Sequence, residues 1–163
     1  MQRRLIVMRH ASSAAGSKDI TDHQRPLTEK GHREAQEIAG RLVESGWVPG
    51  RVLSSDATRT RETWETMQSV FDTSVDAWFD HSLYLAGIDA AQQALANRGG
   101  DAPTVLLLGH NPGWQAIISY LAGKRERMMT ANAALLETDA ARWEDTMAPG
   151  CFELVEMLRP ATL

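Results

Sequence analysis

A chain of 163 residues with 43% apolar and 23% charged residues is long enough to bury a core and too apolar for global disorder. A net charge of −4 argues against a general nucleic-acid binder, and the apolar runs are too short for a membrane span or a signal sequence. Cys151 is alone, which rules out an intrachain disulfide and suits a reducing compartment, so a soluble cytoplasmic protein is expected.

Leu5-Ile6-Val7-Met8 is a continuous apolar run, expected as a strand covered on both faces, and it breaks on Arg9-His10. A polar loop follows through Asp22 to Pro26. Thr28 can cap a helix carrying Ala35, Ile38, Ala39, Leu42 and Val43 at helical spacing, closed by Gly46, Pro49 and Gly50. Arg51-Val52-Leu53 reads as a second strand. Ser54, Ser55 or Asp56 can cap the next helix, with Trp64, Met67, Val70 and Phe71 inward.

Residues 75–79 predict a third, weaker strand, and residues 88–97 an alanine-rich helix. Thr104 to Leu108 is the clearest buried strand, and it breaks on Gly109-His110. Pro112 suits the first turn of a helix with Ile117, Ile118 and Leu121 inside and Gly123 at its end. Residues 132–138 fit strand or helix, and 152–158 a strand. Strands alternating with helices predict an α/β fold, a single three-layer α/β/α domain over residues 1–163 with a mostly parallel central sheet.

In such sheets ligands bind beyond the carboxyl ends of the strands. Three expected strand ends carry chemistry there: Arg9-His10, Ser54-Ser55 ahead of Arg59, and Gly109-His110. Two arginines and two histidines in one crevice suit phosphoryl transfer. Guanidinium groups hold phosphate oxygens in bidentate fashion, and a neutral imidazole can attack phosphorus. Charge is also uneven: residues 1–61 hold eleven Lys/Arg against seven Asp/Glu, and the remainder six against fourteen. A locally basic site attracts anions even in an acidic protein.

Four segments carry a resemblance. Val7-Met8-Arg9-His10-Ala11 resembles the Arg-His-Gly signature of the histidine phosphatase (phosphoglycerate mutase-like) superfamily. Arg25-Pro26-Leu27-Thr28-Glu29-Lys30-Gly31 is similar to its Pro-Leu-Thr-x-x-Gly segment. Ser55, Arg59 and Thr63 match Ser-x-x-x-Arg-x-x-x-Thr, and Gly109-His110-Asn111-Pro112 matches the element with the second histidine. The four stand in register along nearly the whole chain, and the short length and Arg-Pro-Leu-Thr wording are closest to the SixA-type phosphohistidine phosphatases.

The resemblance implies that His10 is the nucleophile and becomes phosphorylated. It implies that Arg9 and Arg59 bind phosphoryl oxygens with His110 completing the pocket, and that Arg25 is a further phosphate contact. It implies no metal and no cofactor. Two departures stand out. Ala11 replaces the usual glycine, and no carboxylic acid aligns clearly as proton donor, with Asp22 and Asp80 as the candidates. General acid catalysis contributes ~10²–10⁴-fold for a poor leaving group such as an alkoxide. An imidazole leaves more readily. The missing acid, and a chain with little room for lid insertions, point to phosphohistidine on a protein as the substrate.

Other readings compete. The same pocket could hydrolyse small phosphomonoesters, or bind phosphate without turnover. A metallohydrolase built on His10 and His110 lacks H-x-H or HExxH spacing, and Arg9 would repel the ion. His23, His32 and His81 read as ordinary surface or loop histidines, Arg61 as a solvated charge, and Ser13 and Asn111 as capping groups.

Overall fold

The computed structural model describes residues 2–161; Met1, Thr162 and Leu163, at the ends of the expected 1–163 domain, lie outside the described residues. Strand β1 (Gln2–Arg9) contains the first apolar run, and its alternation assigns the two faces of the sheet. Ile6 and Met8 pack into one core with Ala35, Ile38, Ala39 and Leu42 of α1 (Glu29–Ser45) and with Trp64 and Met67 of α2 (Thr58–Gln68). Leu5 and Val7 pack into a second core, with Ala91, Ala94 and Leu95 of α3 (Ile88–Arg98) and Ile117, Ile118 and Leu121 of α4 (Gly113–Ala122). Helices therefore cover both faces, as the unbroken apolar runs require.

The sheet has six strands in the order β3-β2-β4-β1-β5-β6, with β2 at Arg51–Ser55, β3 at Asp76–Asp80, β4 at Thr104–Gly109, β5 at Ala133–Asp139 and β6 at Glu153–Leu158. The pairings β1–β4, β4–β2 and β2–β3 are parallel, whereas β5 runs antiparallel to both β1 and β6. One strand of the six is thus reversed, and the sheet is mostly parallel. The ambiguous 132–138 stretch is β5, whose Ala133 to Leu136 are buried against β1.

Several local expectations change. Helix α2 stops at Gln68, so Val70 and Phe71 reach the core from the turn beyond it, where both amides bond to the carbonyl of Met67. Its N-cap is Ala57 rather than Ser54, Ser55 or Asp56, although the Ser55 hydroxyl accepts the Ala57 amide at 3.2 Å. Pro112 sits at the N-cap of α4 rather than inside its first turn. Thr28 does cap α1, accepting the Gly31 amide, and α1 closes on Gly46 in the left-handed conformation at φ 76°.

Leu106 is fully buried in the strand at the middle of the sheet. Leu106→Ala should lower the unfolding free energy by ~2–5 kcal/mol. Val155→Ala, at an edge-strand position that is 47% exposed, should change it by less than about 0.5 kcal/mol. Urea unfolding of both variants checks the pair.

Candidate active site

β1, β4 and β2 are adjacent and parallel, so their carboxyl ends lie side by side. His10 follows β1, His110 follows β4, and Ser55 ends β2. The backbone locks the first two together, since the His10 amide donates to the Gly109 carbonyl at 3.0 Å. The rings of His10 and His110 come to rest 5.4 Å apart, both buried.

The spacing of four between Arg59 and Thr63 now has a physical meaning: both lie on one stripe at the start of α2 that faces these strand ends, while Ser55 closes β2 just ahead of the helix. Ser55 Oγ meets His110 Nε2 at 2.8 Å, Arg59 Nε donates to His10 Nε2 at 3.3 Å, and Thr63 Oγ1 accepts the Ala11 amide at 3.1 Å. Ala11 is wholly buried in the core, and positive φ among non-glycine residues is confined to Leu85 and Ala131 within the described chain. The position thus needs neither the left-handed conformation nor the space that glycine would give.

Hydrogen bonds determine the tautomers. His10 Nδ1 lies 2.7 Å from the Ala11 carbonyl, an acceptor, so Nδ1 carries the proton. Nε2 is left with its lone pair, on the side where Arg59 donates. Ser55 Oγ accepts the Ala57 amide, and His110 Nε2 is the partner at hydrogen-bond distance for its hydrogen, an arrangement that uses the hydroxyl as both acceptor and donor. That assigns the His110 proton to Nδ1, which is buried without a protein partner among the described residues. Burial, with Arg59 and Arg9 as positive neighbours, pushes His10 down to about 4. Burial, Arg59 and His10 push His110 down to about 3. Both rings are neutral near pH 7.

Around them lies a cleft of about 440 Å³ whose lining includes Arg9, Ser12, Ser13, Asp22, Arg25 and Arg59. Arg9 donates to the Met128 carbonyl at 3.2 Å, while its buried Nε has no protein partner among the described residues. Burial and Arg59 lower the Arg9 pKa from its usual value. Arg25 lines the cleft and also ties the loop: it reaches the Ala14 carbonyl, Ser13 Oγ and Asp22 Oδ1 at 2.7, 3.0 and 2.8 Å. Arg59 donates to the Asp22 carbonyl and carboxylate at 2.8 and 3.1 Å.

The loop after His10 is held by buried Glu34, which accepts the Ser12 amide at 2.8 Å, and by Ser12 accepting the Thr28 amide at 3.0 Å. Gly31 explains the Pro-Leu-Thr-x-x-Gly spacing. A Cβ there would lie 2.1 Å from the Ser12 carbonyl oxygen, so only glycine lets α1 approach this loop.

The two candidate proton donors sit differently. Asp22 is in the cleft, but hydrogen bonds from Tyr84 and Arg25 and the charge of Arg59 hold its carboxyl far below the usual range. Asp80 is outside the cleft lining; it accepts the Ser82 amide at 2.7 Å, which also lowers its pKa. Asn111 stands one residue before the Pro112 N-cap and its Oδ1 accepts the Gln115 amide at 3.2 Å, and Ser13 Oγ accepts from Arg25. His32 is bonded to Thr66 Oγ1 at 2.8 Å and Arg61 lies over the Phe79 ring. Tyr84 was not legible in the sequence: its hydroxyl meets Asp22 and its ring packs edge-on against His110 at 5.5 Å.

Comparison with known proteins identifies the family and the fold. The profile of the histidine phosphatase superfamily, branch 1, matches residues 5–80. An uncharacterized chloroplastic protein of Arabidopsis thaliana is 38% identical over 98% of this chain and 79% of its own length. The solved structure of SixA from Nakamurella multipartitia, named as a proposed phosphohistidine phosphatase, superposes with a TM-score of 0.85 at 28% identity, covering 99% of this chain and 98% of that one. The protein histidine phosphatase SixA complexed with tungstate gives a TM-score of 0.78 at 25% identity, with 98% and 97% covered.

A pH dependence follows from the two depressed histidines. Unfolded, each would take a proton near 6.5; folded, they resist until about 4 and about 3. The unfolded chain binds more protons in between, so these groups make stability fall as pH drops from about 6.5 through about 4, with no such loss above 6.5. Urea midpoints at pH 7.5, 6 and 4.5 test the sign. Nitrogen NMR should find both rings neutral at pH 6, and Arg59→Gln should move both titrations upward.

Proposed function

The chain belongs to the histidine phosphatase superfamily, and we propose that it removes phosphate from phosphohistidine on a protein through a phosphorylated His10. The observation that carries this reading is the held imidazole: Nδ1–H tied to Ala11, and the Nε2 lone pair directed into a cleft lined by Arg9, Arg25 and Arg59. In the first step His10 Nε2 attacks phosphorus. The bond from phosphorus to the substrate imidazole breaks, and its electron pair stays on the departing ring nitrogen, which takes a proton from water. In the second step water attacks the phosphorylated His10, a proton is lost to solvent, phosphate leaves, and neutral His10 is restored. Arg9, Arg59 and the His110 Nδ1–H receive the charge on the phosphoryl oxygens, with Arg25 at the outer side.

Asp22 favours this substrate over an ester. The one carboxyl of the candidate pair that lines the cleft is held ionised by two arginines and a tyrosine, so it has no proton to give an alkoxide. The SixA relatives support the same substrate class, and one of them is complexed with tungstate, an oxyanion. No step calls for a metal.

The test is a paired assay with phosphohistidine-bearing protein and a panel of phosphomonoesters. Turnover should favour phosphohistidine, persist in EDTA, and vanish in His10→Ala. Arg59→Ala should lose about 10²–10³-fold in kcat/KM. Asp22→Asn should lose far less than the ~10²–10⁴-fold expected of a general acid. Preference for an ester, with a large Asp22→Asn loss, would overturn the reading.

A further inference from the structure

The fold brings together three side chains that the sequence scatters and that the reaction above leaves unused. His23 belongs to a short 3₁₀ turn at Asp22–Gln24, Asp56 to the loop between β2 and α2, and His81 to the 3₁₀ turn after β3. His23 Nε2 lies 2.7 Å and His81 Nδ1 3.1 Å from the same oxygen, Asp56 Oδ1. One ligand atom from each lies within 4.8 Å of the other two. We propose that His23, Asp56 and His81 bind one first-row divalent transition-metal ion of the zinc class at the rim of the phosphate cleft.

Donor chemistry selects the class of ion. Two imidazoles and one carboxylate suit zinc and its neighbours, whereas magnesium and calcium prefer oxygen ligands throughout. Three protein ligands leave a fourth position for water. Zinc bonds of about 2.0–2.2 Å put the ligand atoms of a tetrahedron about 3.4 Å apart. The contacts of His23 and His81 to Asp56 Oδ1 therefore need to open by about 0.7 and about 0.3 Å, and both side chains, 34% and 72% exposed, have room to shift. Each imidazole nitrogen now facing Asp56 presents a lone pair to the ion when it carries no proton, the ring proton sitting on the other nitrogen. Asp80, one residue before His81, adds negative charge; Asp22, one residue before His23, is offset by Arg25 and Arg59, and Arg61, donating to the Asp56 carbonyl at 3.0 Å, is a further cation nearby.

The ion would act as a staple for the cleft wall. Tyr84 packs against both imidazoles, with ring centroids 4.9 Å from His23 and 5.3 Å from His81, and its hydroxyl meets Asp22. Fixing the cluster thus holds Tyr84 and the segment carrying Asp22 and Arg25 against the start of α2.

The test is calorimetric titration of chelator-treated protein with ZnCl2, with Tm read in parallel. Wild type should bind one equivalent and gain Tm. His81→Ala and Asp56→Asn should weaken binding at least about tenfold and cancel the Tm gain. Both should keep metal-free phosphatase activity, since neither residue touches the phosphate site. No saturable binding by wild type, equal binding by His81→Ala and Asp56→Asn, or magnesium binding as tight as zinc would overturn the site. These readouts do not depend on turnover, so a failure of the proposed reaction and a failure of this site are told apart.

Discussion

The 3.3 Å contact between the Arg59 guanidinium and the His10 imidazole is the interaction around which the site is organised. A cation beside an imidazole suppresses its protonation, and an N–H aimed at Nε2 fixes which nitrogen stays basic. Placing that cation has a cost, because Arg59 is only 3% exposed and a buried charge needs a partner. Asp22 is that partner. It can reach Arg59 only if the chain after His10 loops out and returns over the cleft, which is what the bonds of Ser12 to Glu34 and Thr28 and of Leu27 to Glu62 achieve.

The sheet supplies the other constraint. Reactive groups from residues 9–10, 55–63 and 110 meet because β1, β4 and β2 are neighbours that end at one level, and helix α2 starts where β2 stops. Apolar β1 and β4, buried on both faces, give that edge its rigidity, so polar groups at the strand ends are held by a part of the molecule with little freedom to move.

Much of this was legible in the residues. Apolar runs announce strands because both faces are covered, and the spacing of four between Arg59 and Thr63 is a helix stripe written in sequence. What escaped was set by contacts between distant loops. Tyr84 over His110, and His23 with His81 on Asp56, join segments with no shared periodicity. The end of α2 was misjudged because helical spacing continues through Val70 and Phe71 with no glycine or proline to mark the stop. Asp80 looked available only because its bond to the Ser82 amide is local and leaves no pattern. Asp22 was placed in the right region, but the sequence could not reveal that its neighbours keep it ionised.

That ionised carboxylate has a bearing on which anions the cleft retains. Arg25 and Arg59 are never bare cations: a built-in anion is already engaged with them, and every visitor is measured against it. A chloride or an acetate would exchange one negative charge for another and gain little. A phosphoryl group brings two charges and three oxygens, enough to engage Arg9 and His110 as well. On the proposed reading, discrimination between common cellular anions and a phosphoryl group would rest on the resting charge balance of the cleft, with no need for a gate.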